Sequence, residues 1–317
     1  MSMPSSISFQ TVVPNPHYDW RISHDGGVLL VGSCFTENIG ARLEDSGFTC
    51  LVNPFGILYN PISMAEALRR CLNREFVGEE HLVNHNGLWH SWLHHGSFSS
   101  DSKEGCLQKC NESIAAAHRF LFEECETVVL TLGSAYLYEL LDSSFSPSVV
   151  GNCHKVPAAR FEKRRASEDE IVAAWEPIWV MLRSLPRNPK VLFTVSPIRH
   201  WADGAHGNQL SKSTLLLAVE KMMGEGRDYF PAYEIVMDEL RDYRFYADDL
   251  LHPSRLAEGV IWGRLQYCLM DSATIELSEK YQRLHRLQAH RPMNRNGEEF
   301  EKYEQRLRAL QHELLGN

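Results

Sequence analysis

Five short β-rich runs recur along the chain, at residues 28–31, 49–52, 127–132, 190–195 and 233–237, and most end in a glycine or proline turn signal. Their apolar positions are nearly continuous and do not alternate with polar ones. An alternating strand has one wet face, whereas a continuous apolar run has two dry ones, so these runs predict a parallel sheet covered by helices on both sides. Helical spacing fills the intervals, at residues 36–46, 63–72, 105–123, 168–184 and 211–223. The βαβα order predicts a three-layer, doubly wound α/β fold on a five-stranded parallel sheet.

Two stretches lie outside that alternation. Residues 85–98 carry His90, His94 and His95 among Trp89, Trp92 and Phe98, in a pattern too irregular for a core helix. They read as a hydrogen-bonded lid on the rim of the site. The cluster lacks both a carboxylate and the His-Glu-x-x-His spacing, so no metal is expected there. After Ala273 the composition turns charged, and Phe300, Tyr303, Leu307, Leu310 and Leu314 recur at three- and four-residue spacing as a narrow helical seam. The chain thus divides into a domain over residues 8–272 and a charged helical extension over 273–317. The seam either packs back on the domain or pairs with a second subunit, which is the ground for expecting a homo-oligomer.

With 317 residues and 44% hydrophobic content the chain can bury a large core. Its net charge of −9, with no basic run interleaved with aromatics, argues against a nucleic-acid partner. Residues 1–11 lack the basic start and apolar stretch of a secretory leader, and no window has the length of a membrane span. A cytoplasmic location without a membrane partner is the expectation. The eight cysteines form no CxxC pair and read as reduced thiols of a large domain.

Two segments can carry chemistry. The first run passes into Gly32-Ser33-Cys34-Phe35-Thr36, placing two nucleophile types at the carboxyl end of a buried strand where a helix begins. Ligand sites of open α/β sheets lie there, and a helix start offers free N–H groups that lower a thiol's pKa and stabilise an oxyanion. The plain alternative is a turn with Ser33 as cap and Cys34 as packing. Far along the chain, Asp249 precedes His252 by three residues. One tight turn can then present both, the carboxylate holding the imidazole in the tautomer that accepts a nucleophile's proton. Alone, such a pair is as readily a surface contact.

Gly32-Ser33-Cys34-Phe35 resembles the signature of the GSCFA family, within the SGNH/GDSL hydrolase superfamily, as do Asn53-Pro54-Phe55-Gly56, Tyr59-Asn60-Pro61, Asn152-Cys153-His154-Lys155, Ser196-Pro197-Ile198-Arg199-His200 and Asp249-Leu250-Leu251-His252-Pro253-Ser254. The resemblance spans about residues 8–270 and implies a flavodoxin-like sheet and ester hydrolysis without a metal or organic cofactor. It makes Asp249 and His252 the terminal catalytic pair and Gly56 a glycine whose N–H lines the oxyanion hole. The superfamily's Gly-x-Asn-Asp block is replaced by Gly133-Ser134-Ala135-Tyr136, so its asparagine donor is absent. Asn152 and Asn60 are the candidate substitutes, with His154, Arg199 and His200 as further substrate or oxyanion contacts. A gap-free match of Gly-Asp-Ser-x-Thr to residues 32–36 puts Cys34 at the nucleophile position, while residue type favours Ser33. In the cysteine register the thiol's pKa is expected to be depressed and Ser33 to hydrogen-bond the turn.

The implied activity is hydrolysis of a small-molecule or carbohydrate acyl ester, such as an acetyl ester, through an acyl-enzyme. A non-catalytic ligand-binding protein of the same fold is the alternative from another class. Acyl transfer is a third reading, favoured by a water-excluding rim of Trp89, Trp92 and Phe98.

Overall fold

The computed structural model describes residues 10–141, 148–290 and 297–315. A five-stranded sheet, parallel throughout, lies at its centre in the order β2-β1-β5-β8-β9. These strands are β1 (Gly27–Gly32), β2 (Cys50–Val52), β5 (Cys125–Leu132), β8 (Lys190–Val195) and β9 (Arg227–Tyr229). Every residue of β1 is buried, and so are nearly all of β5 and β8, as continuous apolar runs demand. The order places the topological switch between β1 and β5, where a crevice opens at the strands' carboxyl ends.

Helices cover both faces. On one, α2 (Pro61–Asn73), α3 (Lys103–Glu123), α4 (Glu168–Arg183) and α5 (Gly204–Met222) close a core that includes Leu29, Val128, Leu130, Trp175 and Phe193. On the other, α1 (Cys34–Asp45) and α7 (Arg255–Leu269) pack over Val28, Leu30, Val129 and Leu192 with Tyr18 and Ile22 of the leading segment. Alternate residues of each central strand therefore serve opposite cores, as pleating requires.

The fifth strand differs from expectation. Residues 233–237 are helical, in α6 (Ala232–Glu234) and a single π turn, Ile235–Glu239, and the edge strand is the short, polar Arg227–Tyr229. Periodicity does not separate a short apolar strand from a buried helical turn, and an edge strand has little apolar surface to announce it.

The middle of the histidine-rich stretch, residues 90–94, is buried. Strands β3 (Leu82–His85) and β4 (Leu88–Ser91) pair antiparallel about Asn86 and Gly87, both at positive φ, and Trp92, Leu93 and His94 beyond them are buried. With Trp92 only 3% exposed, the expected rim of Trp89, Trp92 and Phe98 is not an open lid. Another hairpin, β6 (Tyr136–Leu140) with β7 (Phe161–Arg165), follows the central strand β5.

Beyond α7, α8 (Ser272–Ala289) packs on α1, where Tyr281 lies against Gly47 and Gln282 Nε2 donates to Ser46 Oγ over 2.9 Å. The seam helix α9 (Glu298–Leu315) packs on α8: Leu310 is buried, and Tyr303 Oη donates to the Leu287 carbonyl over 2.6 Å. The chain itself thus takes up part of the seam, Leu310 being buried and Phe300, Tyr303, Leu307 and Leu314 half-buried. No helix among the described residues is long and apolar enough to cross a membrane.

Candidate active site

The turn after β1 is built around Gly32, whose φ is +155° and whose missing Cβ would stand 2.4 Å from the Thr131 carbonyl oxygen. Only glycine fits there. Its N–H donates to Asn53 Oδ1 over 2.8 Å, tying the end of β1 to the loop after β2. The next two residues then face different ways. Ser33 is buried, and its Oγ has no hydrogen-bond partner among the described residues, so it neither caps the helix nor secures the turn as the sequence suggested.

Cys34 opens α1, and its Sγ lies 3.8 Å from His252 Nε2, within hydrogen-bonding reach for sulfur. Burial pushes the thiol above its ordinary pKa. The N–H groups of Cys34 and Phe35 and the charge of Lys212 pull the other way and are outweighed. The expected depression is thus reversed: a helix start helps a thiolate, but loss of water costs it more.

His252 is held by a loop that bonds to itself. The Ala247 N–H donates to the His252 carbonyl over 2.8 Å, and Leu250 takes φ +62° to make the bend. Asp249 Oδ1 accepts the N–H groups of Leu251 and His252, both at 2.9 Å, and Oδ2 accepts from His252 Nδ1 at 2.5 Å. Those amide donors, more than the imidazole, hold the Asp249 carboxyl at about 2. With Nδ1 donating to a carboxylate, Nε2 is left as the acceptor that faces Cys34.

The other candidates sort by their partners. Gly56 donates its N–H to the Asn53 carbonyl at 2.7 Å, so that group is already committed. Asn60 caps α2, its Oδ1 accepting from the Ser63 N–H at 2.8 Å. Asn152 Oδ1 accepts the His154 N–H at 2.8 Å. His154 Nε2 lies 2.7 Å from the Ser91 carbonyl and the ring stacks on His90, burial bringing its pKa down to about 4. His200 stands edge-on to Tyr59 at 5.0 Å; burial and Lys212 bring its pKa down to about 4, and its Nε2 has no partner among the described residues. Arg199 lies across Trp201 at 5.2 Å. In the block that lacks asparagine, Gly133 and Ser134 both donate to the Tyr59 carbonyl at 2.9 Å, and Ala135 donates to Ser211 Oγ at 2.8 Å.

Sequence reading passed over Lys212. It is fully buried on α5, and its Nζ donates at 2.7 Å each to the carbonyls of Gly133 and Ser196, at the carboxyl ends of β5 and β8. Among the described residues no carboxylate pairs with it, and burial lowers its pKa to about 7. Its signal was its phase: Lys212 falls on the buried face of α5 with Asn208, Leu215, Val219 and Met222.

Compared with known proteins, the chain matches the model of the GSCFA family over residues 27–265. No curated protein sequence matches it. Among solved structures it is similar to a carbohydrate esterase family 3 protein from Talaromyces cellulolyticus, at 12% identity and a TM-score of 0.35, over 80% of this chain and 98% of that one. It is also similar to a mutant acetyl esterase with an acetate ion, at 12% identity and a TM-score of 0.33, again over 80% and 98%.

Proposed function

The chain belongs to the GSCFA family, and from that premise and the line of contacts from Cys34 through His252 to Asp249 we propose an SGNH-type hydrolase of small acyl esters that works through an acyl-cysteine. The observation that carries this reading is the 3.8 Å approach of Cys34 Sγ to His252 Nε2, with Asp249 behind the ring and Ser33 Oγ buried elsewhere. His252 Nε2 takes the thiol proton as Sγ attacks the acyl carbon. The oxyanion forms beside the N–H groups of Cys34 and Phe35, the donors at the start of α1. Collapse breaks the ester C–O bond, and the departing oxygen takes the proton from His252. Water then attacks the thioester with its proton passing to His252, and the carboxylic acid leaves as Sγ recovers a proton. No step needs an acid or base beyond His252.

The test compares Cys34→Ala with Ser33→Ala on short-chain p-nitrophenyl esters, with mass spectrometry for an acyl adduct. Loss of turnover in Cys34→Ala, with the adduct on Cys34, is the expected result. Full turnover in Cys34→Ala together with its loss in Ser33→Ala overturns the assignment.

One observation favours a second reading, a ligand-binding protein without turnover. The N–H groups of Gly56, Gly133, Ser134 and Ala135 are all bonded within the chain, which leaves the oxyanion few donors. Tight binding of an acylated ligand with no product from any ester would select it.

A further inference from the structure

Beside Asp249 the surface opens into a pocket of about 580 Å³. Arg199, Trp201, Tyr243 and Tyr246 line it, with Trp201 52% and Tyr243 76% exposed. Two guanidinium groups on its wall, Arg199 and Arg241, have no carboxylate partner among the described residues. Asp249 is engaged by His252, and Asp242 accepts from Arg244 Nη2 at 3.0 Å. Arg241 donates from Nε to the Asp238 carbonyl at 2.8 Å and from Nη2 to Thr11 Oγ1 at 3.1 Å. Arg199 makes no hydrogen bond and no ion pair among the described residues, and its Nε is buried without an acceptor. A buried guanidinium donor without an acceptor is costly, and stacking on Trp201 fixes the plane in which its fork can receive an oxyanion. Lys212, also without a carboxylate partner among the described residues, interacts electrostatically with both Arg199 and Cys34.

We propose that the pocket binds the leaving group of the substrate, and that this group carries a carboxylate or phosphate, taken by Arg199, on a ring that packs against Trp201 and the tyrosines. The term leaving group rests on the hydrolase reading; the anion site itself does not. A bidentate, charge-assisted pair explains why this arginine has no hydrogen-bond acceptor among the described residues, and the exposed aromatic walls suit a planar body.

Titration calorimetry of the full chain with benzoate, phenyl phosphate and phenol tests the site apart from turnover. At least one anion is expected to bind about ten-fold or more tightly than phenol. Arg199→Met should bring that ratio to near one and Arg199→Lys should restore only part of it, each variant being checked for wild-type melting. Preference for benzoate identifies a carboxylate, and preference for phenyl phosphate a phosphate. Anions binding no better than phenol to the wild type, or a preference that survives undiminished in the folded Arg199→Met variant, overturns the proposal. Turnover of phenyl acetate, 4-acetoxybenzoate and 4-acetoxyphenyl phosphate separates the two readings. Anion binding with no hydrolysis of any ester removes the hydrolase and keeps the site, whereas hydrolysis without preference for the charged esters removes the leaving-group role and keeps the hydrolase.

Discussion

Replacing Lys212 by methionine keeps a side chain of similar length and removes the amine from the interior. In the unfolded chain that amine holds its proton up to the usual 10.5, whereas burial in the fold releases it at about 7. Between those values the unfolded state binds one proton more than the native state, so the contribution of Lys212 to stability rises with pH and is smallest below about pH 7. The slope is at most about 1.4 kcal/mol per pH unit, amounting to several kcal/mol across the window. Above the window the neutral amine still donates to the Gly133 and Ser196 carbonyls, and leaving each without its donor costs about 1–3 kcal/mol. Urea denaturation of wild type and Lys212→Met at pH 6.5 and 9.5 reads the difference directly, and buried cysteines titrating in both proteins largely cancel. The wild type should be clearly the more stable at pH 9.5, with its advantage shrinking or reversing at pH 6.5. A difference that does not change with pH would refute the argument, because it would mean that the carbonyls keep the ammonium charged throughout.

Three further outcomes follow from the geometry. Asp249→Asn keeps the loop's shape but no longer favours the Nδ1–H tautomer of His252; ester turnover should fall by roughly 10²–10⁴ with melting little changed, and a loss under ten-fold would refute the orienting role. Gly32→Ala should destabilise by more than about 2 kcal/mol in urea titrations, since the added Cβ meets the Thr131 carbonyl and the backbone lies at φ +155°; wild-type stability would show that the turn can relax. Truncation after residue 290 should leave a soluble, folded chain, whereas truncation after 271 removes the α8 cover of α1, including the Gln282 to Ser46 hydrogen bond and buried Leu284, and should yield insoluble protein; the reverse result would make α8 dispensable.

Where the fold could be read from the chain, burial on both faces made it legible. Val28 to Val31, Thr127 to Leu132 and Lys190 to Val195 are strands because no wet face interrupts them. Arg227–Tyr229 was not legible, being three residues at an edge whose pairing comes from β8 and not from its own composition. The β3–β4 hairpin did carry its signal, the Asn86-Gly87 pair that a two-residue hairpin turn favours, but the surrounding histidines drew attention to metal spacing instead. Asp249 and His252 could be paired from sequence because three residues suffice to bring them together. Whether Ser33 or Cys34 faces His252 depends on the rotation of the first helical turn, and spacing does not encode it. Lys212 is a long-range case: only the packing of α5 on β5 and β8 places its amine near residues 178 positions earlier in the chain, at Cys34.

A protonated thiol changes how the proposed reaction draws on its surroundings. Had Cys34 rested as a thiolate, the N–H groups of Cys34 and Phe35 and the charge of Lys212 would stabilise the resting state as well as the transition state, and interactions common to both do not accelerate the step between them. Burial instead holds the thiol neutral. Negative charge then appears only when His252 takes the proton and the carbonyl oxygen becomes an oxyanion, and it appears beside amides already fixed at the start of α1. The field is set before the charge arrives, which is the condition under which preorganised donors lower a barrier. Within this scheme the hydrogen bonds that fix Asp249, far more than any strength in the thiol, decide whether the reaction proceeds, because they keep His252 Nε2 free to receive the proton.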